Sequence, residues 1–319
     1  MSTKNSAGEP AARPRGFLGR CMVEANEPQG RGAWLMRLAI PSAGFAPQAG
    51  QFVTLRVGEG TDPLLRRPFS VCNASFRPEG NSTGIEILYK VVGRGTKLLA
   101  RLKPADTVNL MGPLGHGFSL PKRKSVCVLV AGGIGVAPLV LLARQLVKLP
   151  FVDDRRRVVV LIGAKTRDEL YCADELSDYG ITLKVATEDG SAGLRGTVLD
   201  LLAKAVRVLR PVARKKRHSK RPAPVPKSER AGLAMFAGER VNFYACGPVE
   251  MLKKVGKLAA RHNFPCEVSL EQRMACGVGA CRGCVIQVAG RKKGQTAYAT
   301  ACQGGPVFEW RKVARLSRE

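Results

Sequence analysis

Cys276, Cys281 and Cys284 stand at the spacing C-x4-C-x2-C, and Cys302 follows after seventeen further residues. Thiolates at these intervals suit a plant-type [2Fe–2S] cluster, whose two irons take four cysteine sulfurs. Backbone N–H groups stabilise such a cluster by donating to its sulfurs, and Gly277, Gly279 and Gly283 leave the backbone free to turn them inward. A structural Zn(Cys)4 site is the alternative. It ordinarily uses two short C-x2-4-C knuckles, and only one such pair is present. Cys21, Cys72, Cys127, Cys172 and Cys266 are left over and are expected mostly in the core.

Three upstream stretches carry further chemistry. Arg67-Pro68-Phe69-Ser70 lies in a β-type segment, where an arginine, a ring and a hydroxyl can hold a phosphate, stack a flat ring and hydrogen-bond a ring nitrogen. An ordinary strand start explains the same string. Leu88-Tyr89-Lys90 is followed by Gly95-Thr96 at a turn that opens a helix, a seat for phosphate; together the two stretches suggest a dinucleotide flavin, FAD. Gly132, Gly133 and Gly135 follow an apolar strand and precede Ala137-Pro138, which suits pyrophosphate at a helix start. The strict G-x-G-x-x-G string is not met, and a glycine turn needed only for strand-to-helix packing remains open. Cys246-Gly247-Pro248 ends a later strand at the edge where parallel sheets bind ligands, so its thiol is either beside a nicotinamide or simply buried.

These residues need a scaffold, and the pattern supplies two. Segments 33–40, 51–57, 69–73, 85–92 and 107–111 are short, β-type and bounded by turns, which predicts a small antiparallel barrel with one helical piece at 96–102. From residue 124, strands at 126–131, 158–163, 181–186 and 241–246 alternate with helices at 137–149, 168–177, 198–209 and 249–263. That alternation predicts a parallel sheet with helices on its faces. The expected fold class is an antiparallel β barrel, a parallel-sheet α/β domain and a small C-terminal domain, which the motifs above would make FAD-binding, NAD-binding and [2Fe–2S] in turn. The expected divisions are a flexible tail at 1–16, then 17–122, 123–264 and 265–319, with a basic, proline-rich surface insertion at 210–238.

The chain has 319 residues and a net charge of +27, enough length for several cores and enough charge to raise the question of an acidic partner. Much of the charge is local: Lys204–Arg230 holds eleven Lys/Arg against one Glu, a local +10 that leaves +17 elsewhere. That run has no Phe, Tyr or Trp to stack on bases, which disfavours nucleic acid. Residues 126–143 are uncharged over a membrane-like length, but Gly132, Gly133, Gly135 and Pro138 divide them into strand, turn and helix, so no membrane span is expected. A polar N-terminus without an apolar signal core points to reduced cysteines and a cytoplasmic protein.

In this order the motifs resemble those of the electron-transfer subunit family of class 1B dihydroorotate dehydrogenase, within the ferredoxin–NADP reductase superfamily. The resemblance runs from about Phe17 to Phe308 and is most specific over Ser269–Cys284. It implies that Arg67–Ser70, Leu88–Lys90 and Gly95–Thr96 bind FAD, that Cys276, Cys281, Cys284 and Cys302 bind [2Fe–2S], and that NAD is the final acceptor. It implies an FMN-containing catalytic subunit as partner, in a heterotetramer of two of each, within pyrimidine (UMP) biosynthesis. Electrons from dihydroorotate would cross the cluster singly to FAD and leave as hydride on NAD+, so no general base for dihydroorotate is expected in this chain. Two departures stand out: the insertion at 210–238, and Gly304, where an acidic residue often precedes Gly-Pro-Val-Phe. A small subunit of an NAD(P)H:ferredoxin oxidoreductase or sulfide dehydrogenase would carry the same motifs. An oxygenase reductase would need a whole ferredoxin domain, for which the residues after Pro265 leave too little room.

Overall fold

The computed structural model describes residues 16–42, 44–58, 60–77, 82–209, 234–290, 292 and 294–313. The expected N-terminal tail and most of the basic insertion lie outside the described residues.

The N-terminal half is an antiparallel sheet of seven strands: β1 (Phe17–Pro28), β2 (Ala33–Ile40), β3 (Phe52–Arg56), β4 (Arg67–Ser70), β5 (Asn73–Arg77), β6 (Ser82–Lys90) and β7 (Thr107–Leu114). Their order is β4-β3-β7-β1-β2-β6-β5. The two end strands are consecutive in the chain, so the sheet curls toward a barrel. Val71 donates its N–H to the Gln51 carbonyl and Cys72 donates to the Glu86 carbonyl, 3.1 and 2.8 Å, carrying the chain from the β3 side to β6. The sequence predicts one strand at 69–73; two form, because the backbone changes partner between them. The long β1 was not among the expected strands. Cys21 and Val23 point inward, and a register shift between Val23 and Ala25 breaks the alternation that would have marked it. The helical piece, α1 (Arg94–Leu99), starts two residues earlier than expected.

The second sheet is built on β8 (Val126–Gly132), β9 (Val158–Ala164), β10 (Thr182–Thr187), β11 (Leu194–Arg195) and β12 (Val241–Cys246), with α2 (Ala137–Leu146), α3 (Ala173–Asp178), α4 (Val198–Leu209) and α5 (Val249–Arg261). Strands β8, β9, β10 and β12 are parallel neighbours. Cys127, Leu129 and Ala131 of β8 join one apolar core with the barrel and α2, while Val126, Val128 and Val130 join a second core with α4 and α5. Burial on both faces is why this strand reads as an unbroken apolar run rather than an alternating one. The helix expected at 168–177 begins later: Cys172 takes a left-handed conformation, φ 56°, and α3 starts after it.

Two further strands extend this sheet. β13 (Cys266–Ser269) pairs parallel to β12, and after the hairpin β14 (Val285–Ala289) and β15 (Thr296–Thr300) and helix α6 (Ala301–Gly304), β16 (Val307–Glu309) pairs antiparallel to β13; α7 (Trp310–Val313) follows. The segment from 265, expected to open a separate domain, is thus first stitched to the parallel sheet. Phe236, inside the expected surface insertion, is buried and lies 4.7 Å beneath the Arg157 guanidinium, so the insertion's end is anchored in the core.

Polar contacts fix the barrel against the second sheet. Arg144 of α2 donates to the Asn73 side-chain oxygen and to the Ala74 carbonyl, 2.7 and 2.6 Å, and Asn73 donates to Glu175 of α3 at 2.8 Å. No described helix is long and apolar enough to cross a membrane.

Candidate functional site

The cysteine loop follows β13 directly. Gly277 and Gly279 adopt left-handed conformations, φ 74° and 84°, which turn the loop so that its amides face sulfur. Val278 N and Cys281 N donate to Cys276 Sγ at 3.5 and 3.4 Å, and Gly279 N donates to Cys302 Sγ at 3.1 Å. Gly283 N donates to Cys281 Sγ and Cys302 N to Cys284 Sγ, both at 3.4 Å. Gly279 and Gly283 therefore donate as the sequence suggests, whereas Gly277 acts by redirecting Val278.

The four thiols differ in environment. Cys281 is exposed and Cys276 half-buried, while Cys284 and Cys302 are buried. Amide donation from Cys281 and then Val278 draws the Cys276 thiol down to about 6, whereas burial pushes Cys302 up to about 11. Coordination to a metal would override both tendencies, because a coordinated thiol is deprotonated. Side-chain contacts link Cys276 with Cys281 and Cys284 with Cys302, and Cys302 also feels the charge of Cys276. Among the described residues no three His, Cys, Asp or Glu side chains gather as ligands of a single ion. Four thiols with five amides directed at their sulfurs are a donor set that suits a [2Fe–2S] centre.

Beside the loop lies an open cleft of about 270 Å³ between barrel and parallel sheet. Pro68, Phe69 and Ser70 of β4 and Leu88, Tyr89 and Lys90 of β6 form its barrel wall, and Gly135, Cys246, Ser269, Leu270 and Glu271 form the other. Phe69 and Tyr89 meet edge to face at 5.7 Å. Met274, two residues before Cys276, lines the same cleft, so the cysteine loop begins at the cleft wall. Largely apolar walls with a few directed polar groups are what a flat heteroaromatic ring requires.

A second cavity of about 570 Å³ adjoins the first and is lined by Gly132, Gly133, Gly163, Lys165, Glu188 and Lys254 among others. It lies at the carboxyl ends of β8, β9, β10 and β12, the ligand edge of a parallel sheet. Lys90, Ile134 and Glu271 line both cavities.

The structure divides the expected glycine roles. A Cβ on Gly135 would collide with the Cys246 carbonyl and Gly247 N, so this glycine permits the close passage of two strand ends. Gly132 and Gly133 line the second cavity; at Gly133 a Cβ would meet open space, whereas at Gly132 it would meet Pro248 and Met251. Arg67, Gly95 and Thr96 line neither cavity. The Arg67 guanidinium lies against Gly95, its Nε 2.6 Å from where a Cβ would stand, and Thr96 Oγ1 accepts from Val92 N and Gly93 N at 2.9 and 3.1 Å. Thr96 thus caps α1, and the three residues form a cationic corner beside the ring cleft. Cys246 is buried, with its thiol pushed up to about 12 by burial, and it faces the first cavity. Phe52, Ser269, Glu271 and Met274 were not among the expected site residues. Ser269 and Glu271 had a usable signal, since Ser269 ends β13 and Glu271 follows it at the sheet's carboxyl edge.

A barrel and a parallel sheet sharing a cleft define a reductase of the ferredoxin–NADP reductase type. The chain superposes on an NADH-dependent reduced ferredoxin–NADP oxidoreductase studied for flavin-based electron bifurcation, with TM-score 0.69 and 27% identity over 92% of this chain and 89% of that one. A ferredoxin NADP+ reductase from Neisseria gonorrhoeae with bound FAD and NADP shares the fold, with TM-score 0.55 and 18% identity over 77% of this chain and 91% of that one. Residues 271–314 match the iron-sulfur cluster binding domain of dihydroorotate dehydrogenase B, and residues 129–257 match the oxidoreductase NAD-binding domain. The dihydroorotate dehydrogenase B (NAD(+)) electron transfer subunit of Desulforamulus reducens is 38% identical over 280 residues, 88% of each chain. That of Bacillus caldolyticus is 40% identical over 264 residues, 82% of this chain and 84% of the other. The chain belongs to the family of dihydroorotate dehydrogenase B electron transfer subunits.

Proposed function

We propose that this chain connects an FMN-containing dihydroorotate dehydrogenase catalytic subunit to NAD+, through a [2Fe–2S] cluster on Cys276, Cys281, Cys284 and Cys302 and an FAD in the cleft beside it. The observation that carries this reading is contiguity. The cysteine loop opens from one wall of the ring cleft, and the nucleotide cavity shares Lys90, Ile134 and Glu271 with it. Bound flavin is the converter between the two ends, exchanging single electrons with iron–sulfur and hydride with nicotinamide.

The chain's residues position these groups. Phe69 and Tyr89 shape the ring wall, Ser70 offers a hydroxyl, and the Arg67 corner beside Gly95 balances diphosphate charge. Lys90, held by Glu169 at 3.4 Å and lying 5.5 Å above the Tyr171 ring, borders both cavities and fixes their shared wall. Gly132 and Gly133 let a pyrophosphate approach the backbone. The solvent-facing pair, Cys276 and Cys281, forms the port for the catalytic subunit, and the assembly is a heterotetramer of two subunits of each kind. A cytoplasmic location and the division into barrel, nucleotide and cluster regions complete the reading; ten cysteines free of disulfides support a reducing compartment.

The test is the purified complex. Iron, sulfide and flavin should be present with a flavin and iron–sulfur visible spectrum, and dihydroorotate should drive NADH formation with orotate as product. Bound flavin and cluster without orotate-linked NADH would transfer the chain to the ferredoxin or sulfide reductase reading. Colourless protein would defeat both.

A further inference from the structure

Proton accounting separates the two ends of the cleft. A hydride passing between flavin and nicotinamide carries its own proton equivalent, whereas two single electrons from a cluster carry none. Reduction of the flavin from the cluster side therefore takes up one proton for every two electrons, and the protein must deliver it.

Four titratable side chains line the ring cleft: Tyr89, Lys90, Cys246 and Glu271. The Tyr89 hydroxyl donates to Asn26 Oδ1 at 3.0 Å, and burial raises it to about 12. Lys90 is committed to Glu169. The Cys246 thiol is buried and raised to about 12, with the carboxylate of Glu271 contributing. Glu271 differs from all three. It lines both cavities, solvent reaches it, and the protein crowds its carboxyl enough that burial lifts it above the ordinary carboxylate range. Around it stand Lys90 and its partner Glu169, and on α5 stand Lys254 and Glu250, the latter held by Lys253 at 2.9 Å. Lys165 and Glu188 face the nucleotide cavity from the β9 and β10 ends.

We propose that Glu271 is the proton carrier of the flavin cleft. Two electrons arriving singly and one proton from the Glu271 carboxyl reduce the flavin, and solvent returns the proton to the carboxylate. Hydride transfer to NAD+ then restores oxidised flavin, so two electrons, one proton and NAD+ give NADH. In reverse, NADH supplies hydride, and the Glu271 carboxylate accepts the proton released as electrons leave for the cluster. Since the donor must be protonated, flavin reduction from the cluster side declines as pH rises through the Glu271 pKa.

The inference rests on the flavin and cluster reading above, and Glu271→Gln in the flavin- and cluster-loaded chain tests it. Anaerobic rapid mixing follows flavin bleaching by titanium(III) citrate, a one-electron donor, and separately by NADH, a hydride donor. The expected result is a one-electron rate reduced about 100-fold more than the hydride rate, in the range of general acid catalysis. A raised solvent isotope effect on that route and partial recovery in Glu271→Asp should accompany it. Equal slowing of both routes, or of neither, overturns the proposal. Independently, the infrared carboxyl band lost between wild type and Glu271→Gln in cofactor-free protein should titrate above the usual carboxylate range; an ordinary value also overturns it. Wild-type protein lacking flavin and iron would defeat the earlier reading instead.

Discussion

The cysteine loop and the ring cleft adjoin but are built in opposite ways. In the loop, three of the five amide-to-sulfur bonds join residues at most five apart, and only the Cys302 contacts reach across the β14–β15 hairpin. The cleft draws Phe52, Ser70, Tyr89, Gly135, Cys246 and Glu271 from both sheets and from more than two hundred residues of chain. A local site is specified by spacing, whereas a dispersed one exists only when two cores dock correctly. The two should therefore fail separately.

The largest effect should come from Cys284→Ser. Cys284 is a buried thiol of the proposed ligand set, and losing its thiolate should cut cluster retention by at least the 10- to 100-fold, roughly, that even outer-sphere changes cost. Iron and sulfide analysis should register the loss while flavin content stays near wild type; equal loss of flavin would mean that the two regions fold as one. Gly135→Ala should do the converse. Its methyl must displace the end of β12, at about 1–3 kcal/mol of overpacking, lowering the urea midpoint and flavin content while cluster content per folded chain holds. Arg67→Ala should be mildest, weakening FAD binding about 10-fold, or about 1.4 kcal/mol, by flavin fluorescence titration, with the unfolding midpoint nearly unchanged.

The same contrast explains what could be read in advance. The strand-turn-helix at 126–143 and the strand at 241–246 follow from local pattern, and the structure places them as expected. Where partner exchange intervenes, local pattern falls short: 69–73 becomes two strands, and 168–177 is interrupted at Cys172. Thr96 stands in the sequence as a candidate FAD residue, and the structure adds that its hydroxyl caps α1. Glu271 had only its place just after a strand, at the sheet's carboxyl edge, to mark it. Its chemistry depends on two cavities meeting at one side chain.

The sequence by itself determined the candidate cysteine set and the two classes of sheet, because thiol spacing, glycine turns and apolar period are properties of neighbouring residues. Tertiary structure decided that β13 and β16 bind the cysteine segment to the parallel sheet, that Gly135 serves packing while Gly133 opens onto the second cavity, and that Glu271 bridges both cavities. Those outcomes depend on which surfaces are buried against each other, and burial is settled only when the two cores close.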